Sequence, residues 1–353
     1  MERAQQTGRT GSLARWLLLL SIAGLLPVLI LFTAASIRTQ HTTGFVRTWL
    51  SFDAQSDTIV LLGDEGYYLA GFTASNIFLS NVFAPARVMT VDRTTLAKKV
   101  VTLDSRNTAS AYWRYMRTFV DSPFIYIREG VTPSAFKASF HDMVLRIDTP
   151  VDFTTCAYLP SRGFFYRRAD GVKKTQSVVR YKAEGEKQLI VSDNFNLFEN
   201  DGKLIADASA EKLLFVFSFK NKFAMIDTTL RSIRTINTIN PAADLHILQD
   251  SIPEEGKLVM RQNVPVANIL ACADDNLLVI VSGVQNSDLS DADFKSHYIF
   301  DIYSLNGPKY AGSILSRKLR GRSLQHIGLT GDQLLLFYED AMQQLSLKGI
   351  RSP

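Results

Sequence analysis

VDRTTL, at Val91 to Leu96, returns as IDTTL, at Ile226 to Leu230. Their aspartates, Asp92 and Asp227, lie 135 residues apart, which is three steps of 45. Self-similarity at a period in the forties marks repeat architectures, in which one supersecondary unit cannot bury its apolar face alone and stacks on its neighbours.

Around these phrases the sequence reads as strands. From residue 54 onward, short runs rich in β-branched and aromatic residues are bounded by Gly, Asp, Asn and Ser. Examples are TIVLL (58–62), FIYI (124–127), GFFYRR (163–168), LLFVFSF (213–219), LLVIVSG (277–283) and QLLLFY (333–338). The unit that repeats is strand, polar turn, strand. It occurs at 88–104, 178–193, 223–236, 298–315 and 342–350, with a weaker copy, SAFKASF, at 134–140. The turn-entry residues Asp92, Tyr181, Asp227, Tyr303 and Leu345 are separated by 89, 46, 76 and 42 residues. The first interval is two steps. The interval of 76 is one step plus an insertion, because 239–262 is polar and irregular.

Six four-stranded units of this length predict an all-β chain forming a six-bladed β-propeller. Insertions leave five or seven blades as alternatives. The sixth copy ends where its outermost strand should begin, and an unassigned strand, Asp57–Leu62, stands before the first. Closing the last blade with that strand removes an open sheet edge. Asn306-Gly307, Glu184-Gly185 and Asp201-Gly202 supply residues that tolerate positive φ at turns. DASAEKLLFVF (207–217) and GLTGDQLLLFYED (328–340) resemble the phrase that recurs in TolB-like six-bladed propellers: an aspartate, small residues, a polar pair, then an apolar strand. The resemblance implies the architecture over about 300 residues, and no particular active site.

Before the propeller comes WLLLLSIAGLLPVLILFTAAS, residues 16–36, without a charge. It is long enough to cross a hydrocarbon core of ~30 Å, and Pro27 is compatible with insertion. Arg3, Arg9 and Arg15 precede it, so the reading is a signal anchor with residues 1–15 cytoplasmic, a linker at 39–53 and the propeller domain at 54–353 outside the cytoplasm, periplasmic in a bacterium. The competing reading is a signal peptide cleaved near Thr33-Ala34-Ala35.

The chain has 353 residues, 46% hydrophobic and 21% charged, an ordinary globular composition. Its net charge is +5, and residues 1–38 supply +3 of it through four arginines against Glu2. A nearly neutral body argues against a nucleic-acid partner, which needs a dense basic patch. Two cysteines, Cys156 and Cys272, make neither a disulfide scaffold nor a zinc site. They read as buried free thiols, with one long-range disulfide as the alternative.

No catalytic motif is recognisable, and the five histidines are scattered. The richest acidic stretch supplies Asp288, Asp291 and Asp293 as candidate metal ligands, with calcium the cation that oxygen donors suit, although the run lacks the glycine and terminal glutamate of an EF-hand. The simpler reading is a solvated loop. Tyr112, Trp113 and Tyr115 are candidate binding residues, since Tyr and Trp are enriched at hot spots; packing between blades would use the same residues. Arg167-Arg168 and Lys173-Lys174 read as a charged hairpin tip that discourages edge pairing, with an anionic partner site as the alternative. No other cofactor is indicated. The leading expectation is an anchored platform that binds a protein or small ligand. The alternatives are a metal-dependent hydrolase or lactonase and a sensor subunit. The axial funnel discriminates the first two: converging acidic, amide or imidazole groups favour the enzyme, an aromatic or apolar surface the binder.

Overall fold

Strand Thr58–Leu61 (β1) pairs antiparallel with Ala341–Ser346 (β26), Thr58 opposite Gln344 and Leu61 opposite Ala341, so the first described strand completes the last sheet. This is the ring closure that the unassigned strand predicts. The computed structural model describes residues 16, 19–21, 23–29, 44–51, 58–108, 115–170, 175–182, 185–192, 196, 198–240, 247–252, 257–261, 264–348 and 350.

The blades are built in chain order. Blade 1 holds β2 (Tyr67–Phe72), β3 (Asn76–Asn81), β4 (Ala84–Asp92) and β5 (Lys98–Thr102). Blade 2 holds β6 (Arg117–Asp121), β7 (Phe124–Glu129), β8 (Ser134–Ser139) and β9 (Arg146–Ile147). Blade 3 holds β10 (Thr155–Leu159), β11 (Gly163–Asp170), β12 (Thr175–Lys182) and β13 (Gly185–Ser192). Blade 4 holds β14 (Gly202–Asp207), β15 (Lys212–Phe217), β16 (Lys222–Ile226) and β17 (Ile233–Asn237). A separate hairpin, β18 (Gln249–Ile252) with β19 (Lys257–Met260), lies in the insertion expected at 239–262. Blade 5 holds β20 (Asn268–Asp274), β21 (Leu277–Ser282), β22 (His297–Ser304) and β23 (Lys309–Arg317), with α1 (Asp291–Ser296) inserted before β22. Blade 6 holds β24 (Leu324–Thr330), β25 (Gln333–Tyr338), β26 and the closing β1.

Every repeat anchor falls at or beside the end of a third strand, and the weak copy at 134–140 is the third strand of blade 2. The recurring phrase explains itself chemically. Asp92 Oδ1 accepts from the Thr94 and Thr95 amides at 2.9 and 2.7 Å, and Leu96 turns the chain at φ 58°. Asp227 accepts from the Thr229 amide at 3.0 Å, and Leu230 turns at φ 56°. A carboxylate that satisfies turn amides stabilises the sharp reversal into the outer strand.

Packing between blades buries both faces of the middle strands. That is why LLVIVS in β21 and QLLLFY in β25 read as continuous apolar runs instead of alternating ones. One cluster joins blades 5 and 6 through Val279, Phe300, Leu334 and Leu336, and another joins blades 1 and 2 through Phe78, Val88, Ile125 and Phe136. Aspartates ending three inner strands stitch each blade to the next. Asp121 accepts from Tyr158 Oη of blade 3 at 2.8 Å. Asp207 accepts from the Asp275 and Asn276 amides of blade 5 at 3.0 and 2.8 Å, and Asp274 from the Gly331 amide of blade 6 at 2.7 Å.

Three expectations are revised. Part of the stretch expected as linker is built into blade 5: the Leu50 amide donates to Ser313 O, and the Ser313 amide to Thr48 O, both at 2.8 Å, so Thr48–Leu50 covers the edge of β23. Beneath it Arg47, fully buried, donates from Nε to Asp301 Oδ1 at 2.8 Å, from Nη1 to Asn286 Oδ1 at 2.7 Å and from Nη2 to Ser282 Oγ at 2.8 Å. Gly202 answers a close approach and not a positive φ, because a Cβ there would lie 2.3 Å from Val216 O. Arg167 is no hairpin-tip charge: it is buried against the Phe215 ring and donates to Asn200 O at 2.5 Å, whereas Arg168 pairs with Glu186 at the surface.

Residues 1–42 form a second unit. Its described residues, between 16 and 29, are helical and exposed. Among the described residues no helix is long and apolar enough to cross a membrane. The 1–15 tail and much of 16–36 lie outside the described residues.

Candidate functional site: the axial funnel

The two ends of the propeller differ. Turns from first to second strands are short: 73–75, 122–123, 160–162, 208–211, 275–276 and 331–332. The opposite end carries the connections between blades, including 103–116, 238–267 and 318–323, and the α1 excursion at 283–296. Function commonly sits on such loops held by a rigid scaffold. Apolar side chains stand exposed there as well, with Phe83 and Val131 each 77% accessible.

At this end, where the six inner strands begin, lies a cavity of about 530 Å³. All six strands reach it: Tyr68 from β2, Arg117 from β6, Cys156 from β10, Lys203 from β14, Leu270 from β20 and His326 from β24. Its mouth includes Tyr115, Val131 and Phe153. Tyr68 organises one wall. Its Oη accepts from the Thr118 amide at 2.7 Å, its ring meets His326 edge-on at 5.6 Å, and the Arg117 guanidinium stacks 4.8 Å from the ring centre. Lys203 Nζ donates to Ile269 O at 3.2 Å. Among the described residues neither Arg117 nor Lys203 forms an ion pair.

The funnel is therefore electropositive. Burial, with repulsion from Arg117, pushes the Lys203 ammonium down to about 8, against the pull of Asp201 and Cys272. Burial, then Arg117 and Lys203, push His326 down to about 3, so the imidazole is neutral at pH 7. Burial raises the Cys156 thiol to about 12 against Arg128 and Arg117. A thiol so raised is a poor nucleophile. Glu129 is the one carboxylate in the described lining, and it is turned into its own hairpin. It accepts from the Val131 and Thr132 amides at 2.7 and 2.5 Å and from Thr132 Oγ1 at 2.7 Å.

Of the residues singled out in the sequence, Tyr115 stands exposed at the funnel mouth, while Tyr112 and Trp113 lie outside the described residues. Asp288, Asp291 and Asp293 sit away from the axis, in the excursion of blade 5. Asp288 accepts from Trp49 Nε1 at 2.9 Å, Asp291 from Gln285 Nε2 at 2.8 Å and Asp293 from the α1 N-cap Ser290 Oγ at 2.6 Å. Among the described residues no group of three or more His, Cys, Asp or Glu is placed to hold a metal ion. Cys156 and Cys272 are both free. Arg117, Lys203 and His326 were not singled out by sequence. Their signal is positional, a basic residue within the first three positions of the inner strands of blades 2, 4 and 6.

No protein-family model matches the chain, and no curated protein matches it. Solved structures do. The chain is similar to a member of the DUF4221 family from Bacteroides vulgatus, with TM-score 0.53 and 11% identity over 85% of this chain and 98% of that one. It is also similar to virginiamycin B lyase from Staphylococcus aureus, with TM-score 0.45 and 9% identity over 83% of this chain and 99% of that one. At 11% identity the likeness to the DUF4221 member is one of fold alone, and it agrees with the six four-stranded blades of this propeller.

Proposed function

We propose that the chain is a membrane-tethered, extracytoplasmic propeller that binds a partner through its funnel end, with residues 16–36 as the tether and 1–15 in the cytoplasm. The observation that carries the binding reading is the convergence of Arg117, Lys203 and His326 on a funnel whose single described carboxylate is committed to its own turn. Two positive charges at the axis repel a divalent cation and attract an anionic or hydrogen-bond-accepting partner. Exposed Phe83 and Val131 beside the funnel supply apolar contact area. The uncharged stretch 16–36 supports the tether.

Two measurements test this. Alkaline carbonate washing should leave the chain in the membrane pellet, and protease added to spheroplasts should digest the propeller from outside; release by carbonate contradicts the tether. On native gels of mildly solubilised membranes, the wild-type chain should migrate within a larger complex. Phe83→Asp with Val131→Asp should return it to the mobility of the isolated chain. Wild type migrating alone contradicts the platform.

A further inference from the structure

We infer that the axial funnel is a binding site for a small organic anion, one with an apolar or aromatic body and a carboxylate or phosphate head. The inference rests on the binding reading and gives that site a ligand class. Small-molecule sites are usually cavities of about 300–1,000 Å³ with apolar walls and a few convergent polar groups; this one has a volume of about 530 Å³, is open at its mouth and is walled about equally by polar and apolar surface. Leu69, Leu204, Leu270 and Ile327 supply apolar wall, and Tyr68 and Phe153 supply ring faces.

The polar contribution is cationic and comes from alternating blades. Arg117 offers a planar fork suited to bidentate recognition of a carboxylate or phosphate. Lys203 offers an ammonium that makes one described hydrogen bond, to Ile269 O, out of three donors. Neither cation has a carboxylate partner among the described residues, and Arg117 is exposed, so both are open to an incoming anion. A metal ion would meet the opposite of what it needs. An inorganic anion alone would leave the apolar wall unused, so body and head are both required.

The test is calorimetric titration of the purified full-length chain. The probes are 4-phenylbutyrate, phenyl phosphate, the neutral analogue 4-phenylbutanol, and inorganic phosphate. At least one organic anion should bind, with 4-phenylbutanol and inorganic phosphate at least about 10-fold weaker, the size of one charge-assisted hydrogen bond. The stronger of the two organic anions identifies the head group. Arg117→Gln and Lys203→Gln should each weaken binding by roughly 10- to 100-fold. Both should melt with the wild type, since neither holds an ion pair. Equal binding of the alcohol, or undiminished binding by both variants, overturns the inference. So does failure of both organic anions to bind; if the larger complex on native gels persists in that case, the platform reading stands without the anion site.

Discussion

Replacing Arg47 with Met should unfasten the segment that seals blade 5. Arg47 and Asp301 have side-chain exposures of 0% and 5%, and the guanidinium reaches both carboxylate oxygens, at 2.8 and 3.2 Å. Removing one partner of a buried pair costs about 3–5 kcal/mol, because the other charge is left uncompensated. Asn286 Oδ1 and Ser282 Oγ lose their donor in the same step. Adding Asp301→Leu removes the stranded charge but restores neither lost donor, and it takes an acceptor from Ser313 Oγ, so the double variant should recover only to a deficit of roughly 1–3 kcal/mol. Arg87→Ala is the control, since Arg87 and Asp64 are 45% and 54% exposed and 3.5 Å apart, and such pairs contribute about 0–1 kcal/mol. Guanidinium denaturation of the full chain, followed by far-ultraviolet circular dichroism, measures all three. Arg47→Met losing less than about 1 kcal/mol, no more than Arg87→Ala, would refute the reasoning that Phe45–Leu50 is locked into the propeller.

Other perturbations follow from named contacts. Asp207→Ala strands three amides, those of Ala210, Asp275 and Asn276, and should cost about 3 kcal/mol by chemical denaturation. Gly71→Ala would set a Cβ 2.1 Å from Val120 O between the inner strands of blades 1 and 2, and should lower stability by about 1–3 kcal/mol. His326 titrates near 3 when folded and near 6.5 when unfolded, so between those values the unfolded chain binds more protons and stability falls as pH falls. From pH 6.5 to 5, above the range of the depressed carboxylates, the wild type should lose roughly 1–2 kcal/mol that His326→Gln does not lose; parallel profiles would contradict this. Val60→Pro breaks the pairing of β1 with β26 and exposes the edge of β26, and should yield a chain that aggregates at the concentrations where the wild type stays dispersed.

The repeat was legible because its signals are local. Asp92 and Asp227 make their turns with residues two and three positions away, and doubly buried middle strands write unbroken apolar runs into the sequence. Closure of blade 6 by Thr58–Leu61 was legible as a strand without a partner. The Arg47–Asp301 lock was not, since its partners are 254 residues apart and an arginine in a polar stretch looks like any solvated charge. Arg167 misled for the same reason. The funnel was hidden because each blade contributes only a few residues to it, and Lys203 follows a turn signal, Asp201-Gly202, that draws attention to the turn. Gly202 itself was assigned to the wrong cause: sequence shows where a side chain is missing, while only the fold shows that Val216 O occupies the space.

The central claim is that the end bearing the funnel is the working end. Site-specific photo-cross-linking in native membranes tests it most directly, with the probe placed in turn at Phe83 and Val131 on that end and at Thr95 and Asp332 on the other. The expected result is discrete adducts from Phe83 and Val131 and none from Thr95 or Asp332. Adducts from Thr95 and Asp332 alone, or equally from all four, would contradict the account.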